Sequence, residues 1–506
     1  MSRTRYFDGP DTVRRARECL HDGGFTLGAL TERLGTHAFA HLAMGELVPL
    51  LRATRAGDRL DTLLRLFVVG VPVSLADARA ALAPLSVGQW VAGGVVAADA
   101  REVRSRVAIR PLGGPANWFV VHDFTRPAEA SIPTDHVLGL SASTMALAGA
   151  TIRREISSAF DLGTGCGIQA LHASAHSSRV VASDINPRAT TCATLTMEIN
   201  EVANVSVRQG DLFAPVEGER FELVVANPPF VISPSHRYLY RDSELAVDEL
   251  CRQLVRVAPR HLADGGHCQL LASWAHVAGE DWRDRLRAWF EDTGCDALVF
   301  EREVLEPSAH AASWLRQTEP PGQWQPEYDE WMAYYERHRI EAVGFGLITM
   351  RKRAQGDAWF RAEEAPHDWS MPCGDHLGAV FELADLLDDD RGERLVDVAL
   401  RIAPDVVLDE RAGPVSQSPG SQGSPGSHGW LVTDRILRQT AGLRREGRVD
   451  EAVAAIAAAC DGTRPLGAVL AEIARAAQTD QSDLARAALP VVHQLVERGF
   501  LLPEVE

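Results

Sequence analysis

From residue 159 onward, short apolar runs of strand length alternate with longer stretches whose apolar residues recur at helical spacing. The runs at 159–162, 180–183, 205–208, 221–226, 267–273, 297–300 and 345–350 read as strands. The stretches at 166–175, 189–200 (with Pro187 at its start), 245–262 and 282–290 read as helices. Parallel strands need a crossover, usually helical, between them. Residues 135–353 are therefore expected to form an α/β doubly wound sheet.

The flanking regions have a different rhythm. Residues 11–125 read mainly as short helices: an apolar one ending at Gly70, one over 75–82 with Ser74 as N-cap, and one near 86–91. Two β-rich runs follow, at 103–110 and 118–122. Helices followed by a ribbon resemble a winged helix, so residues 1–130 are expected to be an N-terminal winged-helix-like α+β domain. Its role is read as docking or packing, because no single helix concentrates basic residues. Residues 354–413 read as an acidic, irregular extension, and 414–429 (PVSQSPGSQGSPGSHG) as a flexible linker. Beyond it, Leu466, Val469, Leu470 and Ile473, then Leu484, Ala488, Val491, Val492 and Leu495, keep helical spacing. A short strand at 500–502 closes what is expected to be a second, mostly helical winged-helix-like domain over 430–506.

The 506 residues carry 69 acidic against 51 basic side chains, a net charge of -18, which disfavours a general nucleic-acid coat. The imbalance is uneven: residues 1–150 hold 16 arginines against 14 acidic groups. A nucleic-acid partner thus ranks below a protein, peptide or small-molecule one without being eliminated. Of the eight cysteines no two stand at C-x-x-C spacing, so no metal site is expected. The start lacks an apolar signal region, and the apolar stretch 80–98 is interrupted by Pro84, Ser86 and Gln89. No membrane span is expected, and a reducing cytoplasm is the natural setting.

The chemistry gathers at the ends of the strands. Asp161-Leu-Gly163-Thr164-Gly165-Cys-Gly167 follows the first strand. Glycines let the backbone turn tightly and approach a ligand. The G-x-G-x-G spacing with a preceding acid suits a nucleoside without phosphates and with a cationic amino-acid end. S-adenosyl-L-methionine (SAM) fits that description better than NAD. The second strand ends at Asp184, followed by Ile185; a carboxylate there accepts from both ribose hydroxyls. The third ends in Gly210-Asp211-Leu212-Phe213, where Asp211 can accept from an adenine amine and Leu212 or Phe213 can pack on the ring. The fourth ends in Asn227-Pro228-Pro229-Phe230. Two prolines remove two donors and stiffen the chain. The Asn227 oxygen and the Pro228 carbonyl become fixed acceptors for an NH2 group, and Phe230 offers it a flat face.

These four elements, in this order, resemble the class I SAM-dependent methyltransferases, and NPPF resembles their N-methylating branch. That branch includes protein glutamine N5-, adenine N6- and ribosomal RNA guanine N2-methyltransferases. The resemblance spans residues 135–353 and implies a Rossmann-like sheet. It implies that Asp161, Gly163, Thr164, Gly165 and Gly167 line the methionine end of SAM. Asp184 and Ile185 would hold the ribose side, Asp211 and Leu212 the adenine. Asn227, Pro228 and Phe230 would hold the nitrogen, with Asn227 also counted among the cofactor-binding residues. The glutamine enzymes usually read NPPY and have a Pro-Arg pair before the first strand. Here Phe230 lacks the hydroxyl, and 136–144 contains no such pair.

An amide or amine nitrogen of a protein, peptide or metabolite is the acceptor this reading favours. A nucleic-acid base is the alternative, and a non-catalytic SAM-binding regulator a third. Ser141, His236, Tyr238 and Trp274 are candidates for the acceptor side, and His236 and Asp242, in the loop after NPPF, could assist if the acceptor must lose a proton.

Overall fold

The computed structural model describes residues 5–43, 46–114, 117–124, 132–319, 322, 324–365, 371–388, 395–414 and 430–504. The expected strands are present, longer than their apolar cores. They are β1 (Ile156–Leu162), β2 (Ser177–Asp184), β3 (Val205–Gln209), β4 (Phe221–Ala226), β5 (Leu262–Val277), β6 (Cys295–Leu305) and β7 (Ile340–Lys352). An edge strand that the charge-rich sequence hides, β8 (Phe360–Glu364), completes the sheet.

The order across the sheet is β8-β6-β7-β5-β4-β1-β2-β3. Neighbours are parallel, except that β7 runs antiparallel to both β5 and β6. From β1 the chain moves outward through β2 to β3, then returns to the other side of β1 as β4. The order therefore reverses between β1 and β4, and ligands bind beyond the carboxyl ends of strands at such a switch point.

Side chains alternate across the strands. Ala159, Val180, Ala182, Leu223 and Val225 face α1 (Ile168–Ser174) and α2 (Pro187–Ile199). Phe160, Val181, Val224 and Ala226 face α3 (Glu249–Val257) and α4 (Trp282–Phe290). Two aromatic-rich helices absent from the sequence reading, α5 (Pro307–Thr318) and α6 (Gln325–Arg337), pack on Ile232, Ala275 and Val343.

The N-terminal residues contain the expected helices. Ser74 caps Leu75–Ala81 by accepting from the Asp77 amide, and Ser86 forms a capping box with Gln89. The hairpin Ala108–Gly113/Trp118–His122 does not stand free as a wing. Its second strand bonds to α2: Phe119 donates to Asn200 Oδ1 (2.9 Å) and Val121 to Thr196 Oγ1 (3.0 Å). Asn200 Nδ2 returns a bond to the Phe119 carbonyl at 2.7 Å. Residues 5–148 and 153–364 accordingly make one compact unit, rather than a separate winged-helix-like domain beside the sheet.

The second compact unit comprises 149–152 and the residues after 364. The irregular extension expected at 354–413 is corrected here. It contains β8, a helix (Gly374–Asp388) and the strands Ala399–Ile402 and Val406–Pro414. The domain boundary expected at the linker is corrected as well. Val406–Pro414 pairs antiparallel with Trp430–Gln439, so the two sides of 415–429 belong to one sheet. Residues 415–429 themselves, with Asp389 and Asp390 of the acidic run, lie outside the described residues. The helices Leu466–Ala476 and Gln481–Glu497 keep the expected apolar faces, burying Leu466, Val469, Leu470, Ala488, Val492 and Leu495. Among the described residues no helix is long and apolar enough to cross a membrane.

Candidate active site

The glycine turn after β1 is built by its own side chains. Asp161 Oδ2 accepts from Thr164 Oγ1 (2.5 Å) and from the Ala170 amide (2.9 Å), tying the turn to the first turn of α1. Gly163, Gly165 and Gly167 have φ of +71°, +54° and +86°, a region costly for any residue with a Cβ. A Cβ at Gly163 or Gly165 would meet no atom within 4 Å, so the turn faces open space. At Gly167 it would press on Ala193 and Met197 of α2, so that glycine serves close helix packing.

The tip of β2 is locked to this turn. The Thr164 amide donates to the Ser183 carbonyl at 2.8 Å. Asp184 Oδ2 accepts from the Gly165 amide and Oδ1 from the Asn186 amide, each at 2.9 Å. Burial raises the Asp184 carboxyl above its ordinary value, and the amides of Asn186, Gly165 and Ile185 oppose that rise. Burial pushes the Asp161 carboxyl up to about 7, against the pull of its Thr164 and Ala170 bonds. Two carboxyls held out of water beside an open turn are suited to a cation that restores their charge.

Beyond Asp184, Ile185 is 52% exposed, an unusual setting for a large apolar side chain. Across from it, β3 ends at Gly210, whose amide donates to the Asp184 carbonyl at 3.0 Å. Asp211 is exposed and Leu212 half-buried with φ +44°. Carboxylate, glycine turn and uncovered apolar side chains thus meet at one edge, and this set fits the nucleoside and amino-acid ends of SAM.

At the tip of β4, Pro228 is buried, while Asn227, Pro229 and Phe230 are half-buried. Among the described residues none hydrogen-bonds the Asn227 side chain. The Phe230 ring rests on Phe345 of β7 with centroids 5.0 Å apart, a partner that the sequence reading missed.

The expected acceptor-side residues divide. His236 is exposed on a cavity of about 260 Å³ that Ser233, Glu244, Tyr334 and Arg337 also line. Ser141 Oγ accepts from the Thr144 amide at 3.1 Å, as a helix N-cap does. Tyr238 is turned inward, 1% exposed, with the guanidinium groups of Arg237 and Arg241 over its ring. Trp274 is fully buried, donates to Glu301 Oε1 at 2.9 Å and stacks on Trp282, so it belongs to the core and walls no pocket. Asp242 is buried and bound into its own loop. Its carboxylate accepts from Ser233, Ser235, the amides of Arg237 and Tyr238, and the buried Arg241. These bonds organise the loop.

The segment 132–141 bonds to the residues after β2 and to the loop after Phe230. Asn186 Nδ2 donates to the Asp135 carbonyl at 2.8 Å, and the Leu239 amide to the Thr134 carbonyl at 3.1 Å. The described residues contain no cluster of three His, Cys, Asp or Glu able to hold a metal.

The family model described as Methyltransferase small domain matches residues 141–293. Models described only as domains of unknown function match 22–106 and 379–503. A ribosomal protein uL3 glutamine methyltransferase of Xanthomonas campestris is 31% identical over 236 residues, 43% of this chain and 74% of that protein. One of Xylella fastidiosa is 33% identical over 189 residues, 34% of this chain and 58% of its own length. A release factor glutamine methyltransferase of Moorella thermoacetica is 35% identical over 109 residues, 21% of this chain and 34% of its own length. The chain thus spans less than two thirds of the latter two relatives. Sheet order, the site at the switch point and the extent of the Xanthomonas match lead to one assignment: this chain belongs to the class I SAM-dependent N-methyltransferases.

Proposed function

We propose that the enzyme methylates a side-chain amide nitrogen of a protein, a glutamine in the first instance. The observation that carries this is the Asn227 amide, half-buried at the β4 tip, unbonded among the described residues and braced by two prolines. An incoming NH2 group donates one hydrogen to Asn227 Oδ1 and one to the Pro228 carbonyl. Phe230, held against Phe345, covers the flat face of the amide. These contacts fix the nitrogen and draw its lone pair out of line with the acceptors. SAM, when bound, supplies the electrophilic methyl group and a good leaving group. The chain's part is alignment and exclusion of water, since an amide need not lose a proton before attack.

On the cofactor side, Asp161, Gly163, Thr164, Gly165 and Gly167 would hold the amino-acid end. Asp184 would accept from the ribose hydroxyls, with Ile185, Asp211 and Leu212 around the base. The names of the relatives favour a glutamine of a ribosomal protein or release factor. The experiment is transfer from labelled SAM to purified uL3, release factor and ribosomal RNA, with fragmentation mass spectrometry to locate the methyl group. Label on a glutamine side chain supports the proposal. Label in the RNA alone selects the nucleic-acid reading, and SAM binding with no transfer selects the regulator.

A further inference from the structure

The loop after Phe230 is fastened at both ends by two consecutive tyrosines of α6. At its start, Tyr335 Oη donates to the Ile232 carbonyl at 3.1 Å. At its end, Tyr334 Oη accepts from the Val247 amide at 2.7 Å. Between them, Arg241 Nη1 donates to Thr318 Oγ1 on α5.

The Tyr335 phenol has a single proton, and the Ile232 carbonyl takes it. His310 Nδ1 lies 2.7 Å from the same oxygen and must therefore be the donor there. That fixes the tautomer: a neutral imidazole with its hydrogen on Nδ1. Burial, with Arg241 nearby, pushes the His310 imidazole down to about 3, so it stays neutral at physiological pH. His310 and Tyr335 are both buried, enclosed by Trp331 and Trp314. A chain of two hydrogen bonds thus runs from α5 through α6 to a backbone carbonyl two residues beyond Phe230.

Only Val231 separates that carbonyl from the Asn227–Phe230 tip, and Pro228 and Pro229 make the tip stiff. An error in the position of Ile232 is therefore passed to Asn227 rather than absorbed. We infer that His310 and Tyr335 are positioning residues for methyl transfer, holding the β4 tip in register with its nitrogen acceptor through the Ile232 carbonyl. The inference rests on the proposed role of Asn227.

Tyr335→Phe keeps the ring and removes the one proton, so it isolates the clamp from packing. The expected result is a fall in kcat of roughly 10- to 100-fold, the scale of a small misplacement, with SAM affinity within about twofold of wild type. An Asn amide nitrogen stands close to where Nδ1 stands, and that of Gln close to Nε2. His310→Asn should thus retain most activity and His310→Gln lose it, with the shape of the pH–rate profile unchanged in both. Amide hydrogen exchange over 231–233 should accelerate in Tyr335→Phe, and this readout needs no acceptor. Wild-type kcat in Tyr335→Phe, unaltered exchange, or a pH profile that changes shape in the His310 variants would each overturn the inference. A wild-type enzyme that transfers methyl to no amide overturns the functional reading instead, while exchange still decides whether the clamp exists.

Discussion

Asp184 holds the Gly165 amide at 2.9 Å, so the acid at the end of the second strand also fastens the glycine turn of the first. One carboxylate therefore shapes the turn, and in the proposed function it also accepts from the ribose hydroxyls. Asp184→Ala should weaken SAM binding by at least about 2 kcal/mol, from the loss of charged hydrogen bonds and of turn geometry together. Asp184→Asn should fall between, because its amide retains one acceptor oxygen. Calorimetric titration with SAM checks both, and equal affinity in wild type and Asp184→Ala removes the ribose role.

Asn227 stands at the tip of β4, and no side-chain bond ties it to Asp161 or Asp184 among the described residues. Asn227→Ala should abolish turnover and leave SAM affinity unchanged, since no described residue depends on its side chain. Stopped transfer with a wild-type calorimetric trace is the expected pair of results. Residual transfer near the wild-type rate contradicts the grip assigned to it.

The Asp161 carboxyl lends a pH dependence with a definite sign. Burial raises it to about 7 in the folded protein. Between its ordinary value and about 7, the folded chain holds a proton that the unfolded chain has released. Its contribution to stability is full below the unfolded value and declines as pH rises through about 7. A cationic ligand reverses the preference by favouring the ionised form. SAM affinity should therefore rise as pH approaches about 7 and level off above it, by up to about tenfold in all between pH of about 6 and 8, and be flat in Asp161→Asn. Titrations at several pH values test it, and a flat wild-type profile contradicts it.

Asn200 supplies the Phe119 peptide with both a donor and an acceptor, standing in for a neighbouring strand. Asn200→Ala leaves two buried backbone groups unpaired, at about 1–3 kcal/mol each. A destabilisation of about 2–4 kcal/mol is expected in denaturant unfolding of the first unit, with Asn200→Asp intermediate. A change below about 0.5 kcal/mol would show that the hairpin is held by its apolar contacts alone.

The central sheet was legible because its strands are written as short, mainly apolar runs, and the first four give way within two residues to Gly, Asp or Asn. Asp161, Asp184 and Asn227 stand at those ends by the same logic, and the structure brings them to one edge. What escaped the sequence has physical reasons. β8 lies at the sheet edge and is written with charges, Arg361, Glu363 and Glu364, that a buried strand would exclude. The strand pair around 415–429 is joined through a Pro/Gly/Ser tract whose composition looks like a boundary, and only pairing reveals the continuity. Trp274 reads as the residue after a strand, but β5 continues through it to Val277, and its orientation toward Glu301 and Trp282 is a tertiary fact. The Tyr334-Tyr335 pair carried no signal at all, because its role is to meet carbonyl and amide groups about 90 to 100 positions away.

A crystal structure grown with S-adenosylhomocysteine, the demethylated cofactor, tests the account most directly. The ribose hydroxyls are expected on Asp184, the base beside Ile185 and Leu212, the amino-acid end over Gly163 and Gly165, and the sulfur turned toward Asn227. A groove left empty at saturating ligand, or the ligand bound with its sulfur facing away from Asn227, would contradict it.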